Sequence, residues 1–430
     1  MEKKLLTAEN KAGLRILHTA DWHLGVSPYN RSLNGELQEF LDWLFAQLQE
    51  KAVDVLVVAG DIFDSKVVPL ETQKLYYMFL SNVARSCCRD VFLLAGNHDS
   101  VSFLNAPKQI LEILHVHVIG TASVDPADCV YLLKNDKQKP CALLGAVPFL
   151  RDRDVRKVAE EDPENSVRDI EQKMFSGVKN YYQQVWQACT EKQSSLKNPL
   201  PVMLTGHLAV HAQHGLSKQN AEMEESYGGY TGKLLEIPVG AFPPAQYVAL
   251  GHYHCAAPLS EDHRVRYSGS PIPLSFQERQ QKKSVIILES TDTDFVYEKL
   301  PVPEFLCVET LTGSAEELKR GVSKYVASQK KILLSLICTD EKRDSKLLEN
   351  LRKCAKDSRT EIINCTQQRS VAVRSILTDN QNLQELSPRR VFQNYLQSCK
   401  KTPEEQEMLM RLFEHAVKDV SVHKEARGKA

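Results

Sequence analysis

The sequence predicts an α/β fold in which apolar strands end, one after another, in loops that carry Asp, His or Asn. Three observations lead there. Val53, Val55, Leu56, Val57 and Val58 form the near-continuous apolar run of a strand buried on both faces. Such runs alternate with stretches of helical periodicity, the pattern of a parallel sheet covered by helices. Each run then meets polar residues at its carboxyl end, where open α/β sheets bind ligands.

The totals set bounds on this reading. A chain of 430 residues is too long for one ordinary domain, and 42% hydrophobic with 25% charged residues is ordinary for a globular protein. With 54 Lys and Arg against 55 Asp and Glu, composition gives no sign of a nucleic-acid partner, so any basic surface is local. No apolar run reaches the roughly 18 residues of a membrane-spanning helix, and the start MEKKLLTAENKAGL lacks a signal-peptide core. A cytoplasmic chain without a membrane partner is expected. The 11 cysteines include no C-x-x-C pair, and the adjacent Cys87 and Cys88 suit neither a zinc knuckle nor an easy disulfide. They are expected to be reduced thiols, mostly buried.

Residues 1–14 are polar and are expected to form a loose extension. Leu14, Ile16, Leu17 and Thr19 have strand character and lead into HTADWHLG, where Asp21 and His23, two apart in an extended segment, would point the same way. Glu36 to Gln49 is a predicted helix with Leu37, Phe40, Leu41, Leu44, Phe45 and Leu48 on one side. The second strand runs into Gly60 and Asp61. A helix over Leu70–Ala84 and a strand over Asp90–Ala95 follow, ending in GNHDS with Asn97, His98 and Asp99. Further expectations are a helix over Ala106–Leu114, strands in VHVIG and CALLGAVPFL, and a charged loop region over 151–171 with Arg151, Arg153 and Arg156. Val178, Tyr181, Tyr182, Val185 and Cys189 fall at helical spacing and are assigned to core.

PVMLTGHLAV repeats the strand, glycine and ligand pattern with His207, and YVALGHYHC repeats it with His252 and His254. GGYTGKLL departs from the phosphate-loop frame at Tyr227 and Leu234, so ATP binding by that loop is rejected. RVRYSGSPIPLSF and SVIILES read as closing strands, and PVPE near residues 300–304 marks a boundary. Beyond it, strand, helix, strand, helix and strand spell a small α+β cap, and from Ser387 the chain is helical and amphipathic.

The strand ends together supply Asp21, His23, Asp61, Asn97, His207, His252 and His254, with His98 beside them. Oxygen and imidazole donors without thiolate suit Mn²⁺ best, with Fe²⁺ or Zn²⁺ as alternatives. So many donors exceed the needs of one ion. They fit two divalent ions sharing a carboxylate, an arrangement that activates water for in-line phosphoryl displacement.

In that order, D-W-H, G-D-x-F-D, G-N-H-D, G-H and G-H-x-H resemble the calcineurin-like metallophosphoesterase superfamily. The longer strings ILHTADWHLG, VVAGDIFD, LLAGNHDS, VALGHYH and YSGSPIPLSF resemble its DNA-repair branch, the SbcD subunits of SbcCD-type nucleases. The resemblance implies a sandwich of two β-sheets flanked by helices. It divides the chain into a nuclease domain over 15–300, an α+β capping domain over 301–386 that grips DNA, and C-terminal helices over 387–430. It further implies one ion held by Asp21, His23, Asp61 and His254, and another by Asp61, Asn97, His207 and His252. His98 would stay off the metals and act on the leaving 3′ oxygen, with Asp99 orienting its ring. The implied activity is 3′ to 5′ exonucleolytic cleavage of double strands and endonucleolytic opening of hairpins. The implied partners are DNA, a second copy of the chain, and an SbcC-type ATPase docked on the C-terminal helices within a heterotetramer. In this sequence Asp152 interrupts the arginines of PFLRDRD, and Cys255 follows His254 where a basic residue is common.

His115 and His117, away from the motif-bearing strand ends, are assigned structural roles, and His211 and His214 are expected to face solvent. Two other functions stay open on the residues alone: a phosphatase or phosphodiesterase for small substrates, and a non-catalytic scaffold. The cap and tail argue against the first and the intact ligand set against the second.

Overall fold

A computed structural model describes residues 13–155, 167–211, 236–340, 346–367, 396 and 405–413. The first part of the chain alternates as expected: β1 (Arg15–Thr19), α1 (Asn34–Glu50), β2 (Val55–Ala59), α2 (Leu70–Val83), β3 (Asp90–Leu94), α3 (Val101–Asn105), α4 (Lys108–Ile113) and β4 (Val116–Ile119). The helix expected over Ala106–Leu114 is α4, and the short α3 before it was not expected. Pro107, which has no N–H to donate, stands between the two.

The chain continues with β5 (Val130–Lys134), β6 (Pro140–Gly145), α5 (Asp152–Val155), α6 (Val167–Ser194), β7 (Val202–His207), β8 (Val210–His211), β9 (Ile237–Pro238), β10 (Tyr247–Gly251), β11 (Ala257–Pro258), β12 (Val265–Tyr267), β13 (Ser284–Ser290) and β14 (Phe295–Pro301). Two expectations change here. Only Val265–Tyr267 of RVRYSGSPIPLSF is strand, because Pro271 and Pro273 cannot donate to a ladder. The loop expected over 151–171 holds α5 and the start of α6; Arg156 and Pro163 lie outside the described residues.

Two six-stranded sheets face each other, in the orders β14-β13-β1-β2-β3-β4 and β11-β12-β10-β7-β6-β5. Strand alternation explains why both faces are apolar. Ile16, Val55 and Val57 point between the sheets, where they meet Leu144, Met203 and Ala249. Leu17, Leu56 and Val58 point the other way, against Leu37, Phe40 and Leu44 of α1 and Tyr76 and Phe79 of α2. On the outer face of the second sheet, Val202, Leu204, Val248 and Leu250 pack on Val178, Tyr182 and Val185 of α6. The result is a helix, sheet, sheet, helix sandwich.

A third sheet contains β15 (Cys307–Gly313), β16 (Ile332–Cys338) and β17 (Thr360–Gln367), with α7 (Ala315–Val326) and α8 (Leu347–Ala355). Its own core includes Leu318, Val322, Leu334, Leu336 and Leu351. A capping box starts α7, the Ser314 side chain accepting from Glu317 N while Glu317 accepts from Ser314 N. Arg31 ties this layer to the sandwich, pairing with Glu36 at 2.6 Å and with Glu361 at 3.2 Å.

The chain divides into two compact units, Met1–Cys338 with Lys342–Thr366, and Thr339–Glu341 with Gln367–Ala430. In the second, residues 405–413 are helical and expose Met408 and Leu412. The remainder of the expected C-terminal helices, the rejected loop GGYTGKLL, His214 and most of the N-terminal extension lie outside the described residues.

Candidate metal centre

β1, β2 and β3 run parallel in one sheet and β7 and β10 run parallel in the other, so their carboxyl ends collect at one edge of the sandwich. All seven expected ligands meet there. His207 Nε2 lies 3.3 Å from Asp61 Oδ2 and 3.0 Å from Asn97 Oδ1, and His252 Nδ1 lies 3.0 Å from that same Asn97 oxygen. On the other side of Asp61, His23 Nε2 lies 3.6 Å from Oδ2 and 3.2 Å from His254 Nε2. Asp21 shares space with His23 and His254, and with Asp61 and His207. The Asp61 carboxylate therefore stands between two sets of donors, one formed by Asp21, His23 and His254, the other by Asn97, His207 and His252.

The local geometry differs from the extended one expected of Asp21 with His23 and of His252 with His254. Asp21, His23, Asp61 and His252 all have positive φ (54°, 46°, 47° and 112°), so the side chains converge through left-handed turns beyond the strand ends. Such conformations are strained for residues with a Cβ and collect at functional sites. The glycines before Asp61 and Asn97 serve close approach. A Cβ on Gly60 would come within 2.2 Å of His207 Nδ1, and one on Gly96 within 2.0 Å of Asp61 Oδ1.

The electrostatics are those of a cluster made to hold positive charge. Burial would push the His207 imidazole down, but the Asp61 charge and hydrogen bond, helped by Asp21, push it up to about 10. For His23, burial is likewise outweighed, by Asp64, Asp61 and Asp21, which push it up to about 9. Asp61 is held well below the usual carboxylate range because His207, His23 and His98 outweigh its burial. Asp21 Oδ2 is buried with no hydrogen-bond partner, as a donor atom reserved for a cation would be. The oxygen and imidazole atoms fit divalent metal ions.

The ring contacts fix which nitrogens face the cluster. His207 donates from Nδ1 to Ala59 O (2.9 Å), which turns Nε2 toward Asp61 and Asn97. His98 donates from Nδ1 to Asp64 O (2.9 Å), and its backbone N donates to Asp61 Oδ1 (2.9 Å). Asp99 does not have the orienting part expected of it. Its carboxylate instead accepts from the backbone N–H groups of Ile62 (3.1 Å), Phe63 (2.9 Å) and Gly96 (2.8 Å). It ties the Asp61 loop to the Asn97 loop.

Two residues escaped the sequence reading. Asp64, the second acid of G-D-x-F-D, places its carboxylate 3.3 Å from His23 Nδ1, and its position in that motif is a signal that could have found it. Glu278, whose Oε1 lies 3.2 Å from His254 Nδ1, has no local signal at all. Burial would push its carboxyl up, but Lys283 and His254 hold it well below the usual range. His117 stacks on Phe92 and bonds Asp90 at 3.1 Å, while His115 and His211 are exposed. The ten described cysteines form no disulfide with one another.

Residues 14–256 match the model of the calcineurin-like phosphoesterases, and residues 305–400 match that of the type 5 capsule protein repressor C-terminal domain. The SbcD subunit of the nuclease SbcCD from Escherichia coli strain K12 is 32% identical over 405 residues, covering 93% of this chain and 97% of the relative. Its namesake in Rhodobacter capsulatus is 34% identical over 286 residues, 64% of this chain and 66% of the relative. That of Bacillus subtilis is 29% identical over 280 residues, again 64% and 66%.

Proposed function

Because the chain belongs to the calcineurin-like phosphoesterase family and to its SbcD branch, we propose that it is the nuclease subunit of an SbcCD-type complex, hydrolysing DNA phosphodiesters at a two-cation centre. The observation that carries this reading is the convergence of five loops on the Asp61 carboxylate. Asp21, His23, Asp61 and His254 hold one ion, and Asp61, Asn97, His207 and His252 the other. Mn²⁺ is the ion that best suits these oxygen and imidazole donors. When bound, such a pair of cations activates water and offsets the charge that builds on a phosphodiester during in-line displacement.

The protein's own groups supply orientation and a proton. His98 Nδ1 stays engaged with the Asp64 carbonyl, so proton exchange is confined to Nε2, which serves the departing 3′ oxygen. Asp99 holds the Asp61 and Asn97 loops in register. The capping domain over 301–386 grips DNA, and Arg31, paired with Glu36 and Glu361, joins β17 to the nuclease domain.

The partners are DNA ends and hairpins, a second copy of the chain, and an SbcC-type ATPase. Met408 and Leu412 offer an apolar stripe for the ATPase. The activities are 3′ to 5′ exonucleolytic degradation of double strands and endonucleolytic opening of hairpins. Among the described residues no helix is long and apolar enough to cross a membrane.

The test compares Mn²⁺-dependent nucleotide release from hairpin and double-stranded DNA with hydrolysis of small phosphoesters, with and without the ATPase partner. Preferential cleavage of DNA is expected. Preference for small phosphoesters would replace the nuclease with a phosphatase, and the lack of any hydrolysis would replace it with a scaffold.

A further inference from the structure

The string YSGSPIPLSF has no part in the chemistry above, and only its first residue belongs to a strand. The chain from Ser268 to Lys283 instead folds back behind the loop of His254. Glu278 sits there in a 3₁₀ turn (Phe276–Gln280) and is 2% exposed. Its Oε1 accepts from His254 Nδ1 (3.2 Å) and Ser275 Oγ (3.3 Å). Its Oε2 accepts from Lys283 Nζ (2.5 Å), Ser270 Oγ (3.3 Å) and Leu274 N (3.3 Å). Lys283 Nζ also donates to the carbonyl of His254 itself (3.1 Å), to Ser270 Oγ (2.8 Å) and to Gln281 Oε1 (2.8 Å). Ser270 N donates to that same carbonyl at 3.2 Å. Ring and backbone of one histidine are therefore clamped together by one segment.

A buried carboxylate and ammonium are expensive to desolvate, so their placement against a single side chain calls for a reason. The direction of the bonds supplies one. With Nδ1–H committed to Glu278, the lone pair of His254 is on Nε2, the atom that faces His23 Nε2 at 3.2 Å and shares space with Asp21. A carboxylate behind a ligating imidazole fixes its tautomer and plane and makes the other nitrogen a better donor. Lys283 balances the charge of Glu278, so the support adds no net negative charge to the cluster. The other ligand rings rely on different supports, His207 on the Ala59 carbonyl and His23 on the Asp64 carboxylate.

We propose that Glu278, balanced by Lys283, is the positioning residue for His254, and that the segment from Ser268 to Lys283, which begins within YSGSPIPLSF, carries that pair behind the metal centre. The inference rests on the reading of His254 as a metal ligand.

The test is a Mn²⁺ titration followed by the electron paramagnetic resonance signal of the free ion. It uses the full chain as wild type, Glu278→Gln, His254→Ala and the two combined. Two sites in the wild type and the loss of one in His254→Ala are the outcome that the ligand reading requires, and their failure would overturn that reading whatever Glu278 does. Given them, Glu278→Gln weakens the same single site about 10- to 100-fold, leaves the other unchanged, and adds nothing in the His254→Ala background. The Mn²⁺ concentration needed for cleavage rises by the same factor while kcat at saturating metal is kept. Glu278→Gln with Lys283→Gln, which leaves no unpaired buried charge, carries the same expectation should the single variant be insoluble. Unchanged affinity, equal weakening of both sites, or a loss that persists in full without His254 would overturn the proposal.

Discussion

The Nε2 atoms of His23 and His254 face each other across 3.2 Å, each ring held from behind on its Nδ1 side by a carboxylate, Asp64 for one and Glu278 for the other. Two lone pairs directed at one point repel unless a proton or a cation lies between them. Removing divalent ions with a chelator should abolish cleavage and lower the melting temperature. Mn²⁺ returned at 100 times its Kd should restore about 2.7 kcal/mol for each site. A melting temperature indifferent to Mn²⁺ would count against metal binding by this cluster.

In the proposed reaction His98 moves a proton on Nε2 while its Nδ1 is held by the Asp64 carbonyl, although the ring also stands with His23 and Asp61 where an ion could bind. His98→Ala should keep both metals, measured by elemental analysis, and lose about 10²- to 10⁴-fold in hairpin cleavage. Loss of a metal with the ring would make His98 a ligand instead.

Asp99 joins two ligand loops through three amide hydrogen bonds, and Asn has one oxygen where Asp has two. Asp99→Asn should cost about 1–3 kcal/mol of stability through the amide left unpaired. The loss should remain in the presence of a chelator, because it belongs to the fold and not to the ions. Denaturant unfolding that matches wild type would contradict the tie.

His18 points from β1 between the sheets, accepting from the Tyr247 hydroxyl (3.0 Å) and donating to Leu250 O (3.2 Å) on β10. Burial, aided by Arg266 and opposed by the Leu250 bond, pushes its imidazole down to about 3. The unfolded chain takes up this proton first, near pH 6.5, so the stabilisation is complete above that value and is lost as pH falls toward 3. Through that window His18 should contribute a slope of about 1.4 kcal/mol per pH unit, absent from His18→Gln. Parallel stability profiles for the two proteins would refute it.

The apolar stripe of Met408 and Leu412 lies on a helix whose Glu407 and Arg411 pair at 2.8 Å. Deleting residues 387–430 should abolish binding to the SbcC-type ATPase and leave basal Mn²⁺-dependent cleavage. Co-purification of the shortened chain with that partner would place the contact elsewhere.

What could be read from the order of residues was whatever depends on near neighbours. The apolar run of β2, the helical stripe of α1 and the recurrence of Asp, His and Asn at strand ends are local patterns, and they pointed to an α/β fold and to the candidate ligands, while the two-sheet sandwich was implied by the family resemblance. The short α3 before Pro107 went unread, and the prolines of YSGSPIPLSF end a strand whose hydrophobicity reads as continuous. β5 and β14 went unread because tertiary pairing, with β6 and β13, completes them.

Tertiary structure alone decided the supports behind the ligands. Asp99 looked like a partner for the neighbouring His98, yet the amides of Ile62 and Phe63, far along the chain, reach its carboxylate first. Glu278 lies 24 residues beyond His254, and no spacing in the chain announces that their side chains touch. A donor atom at a strand end is a matter of local register. The group that orients it is whichever one the packing of distant segments delivers, and that follows from the closed fold.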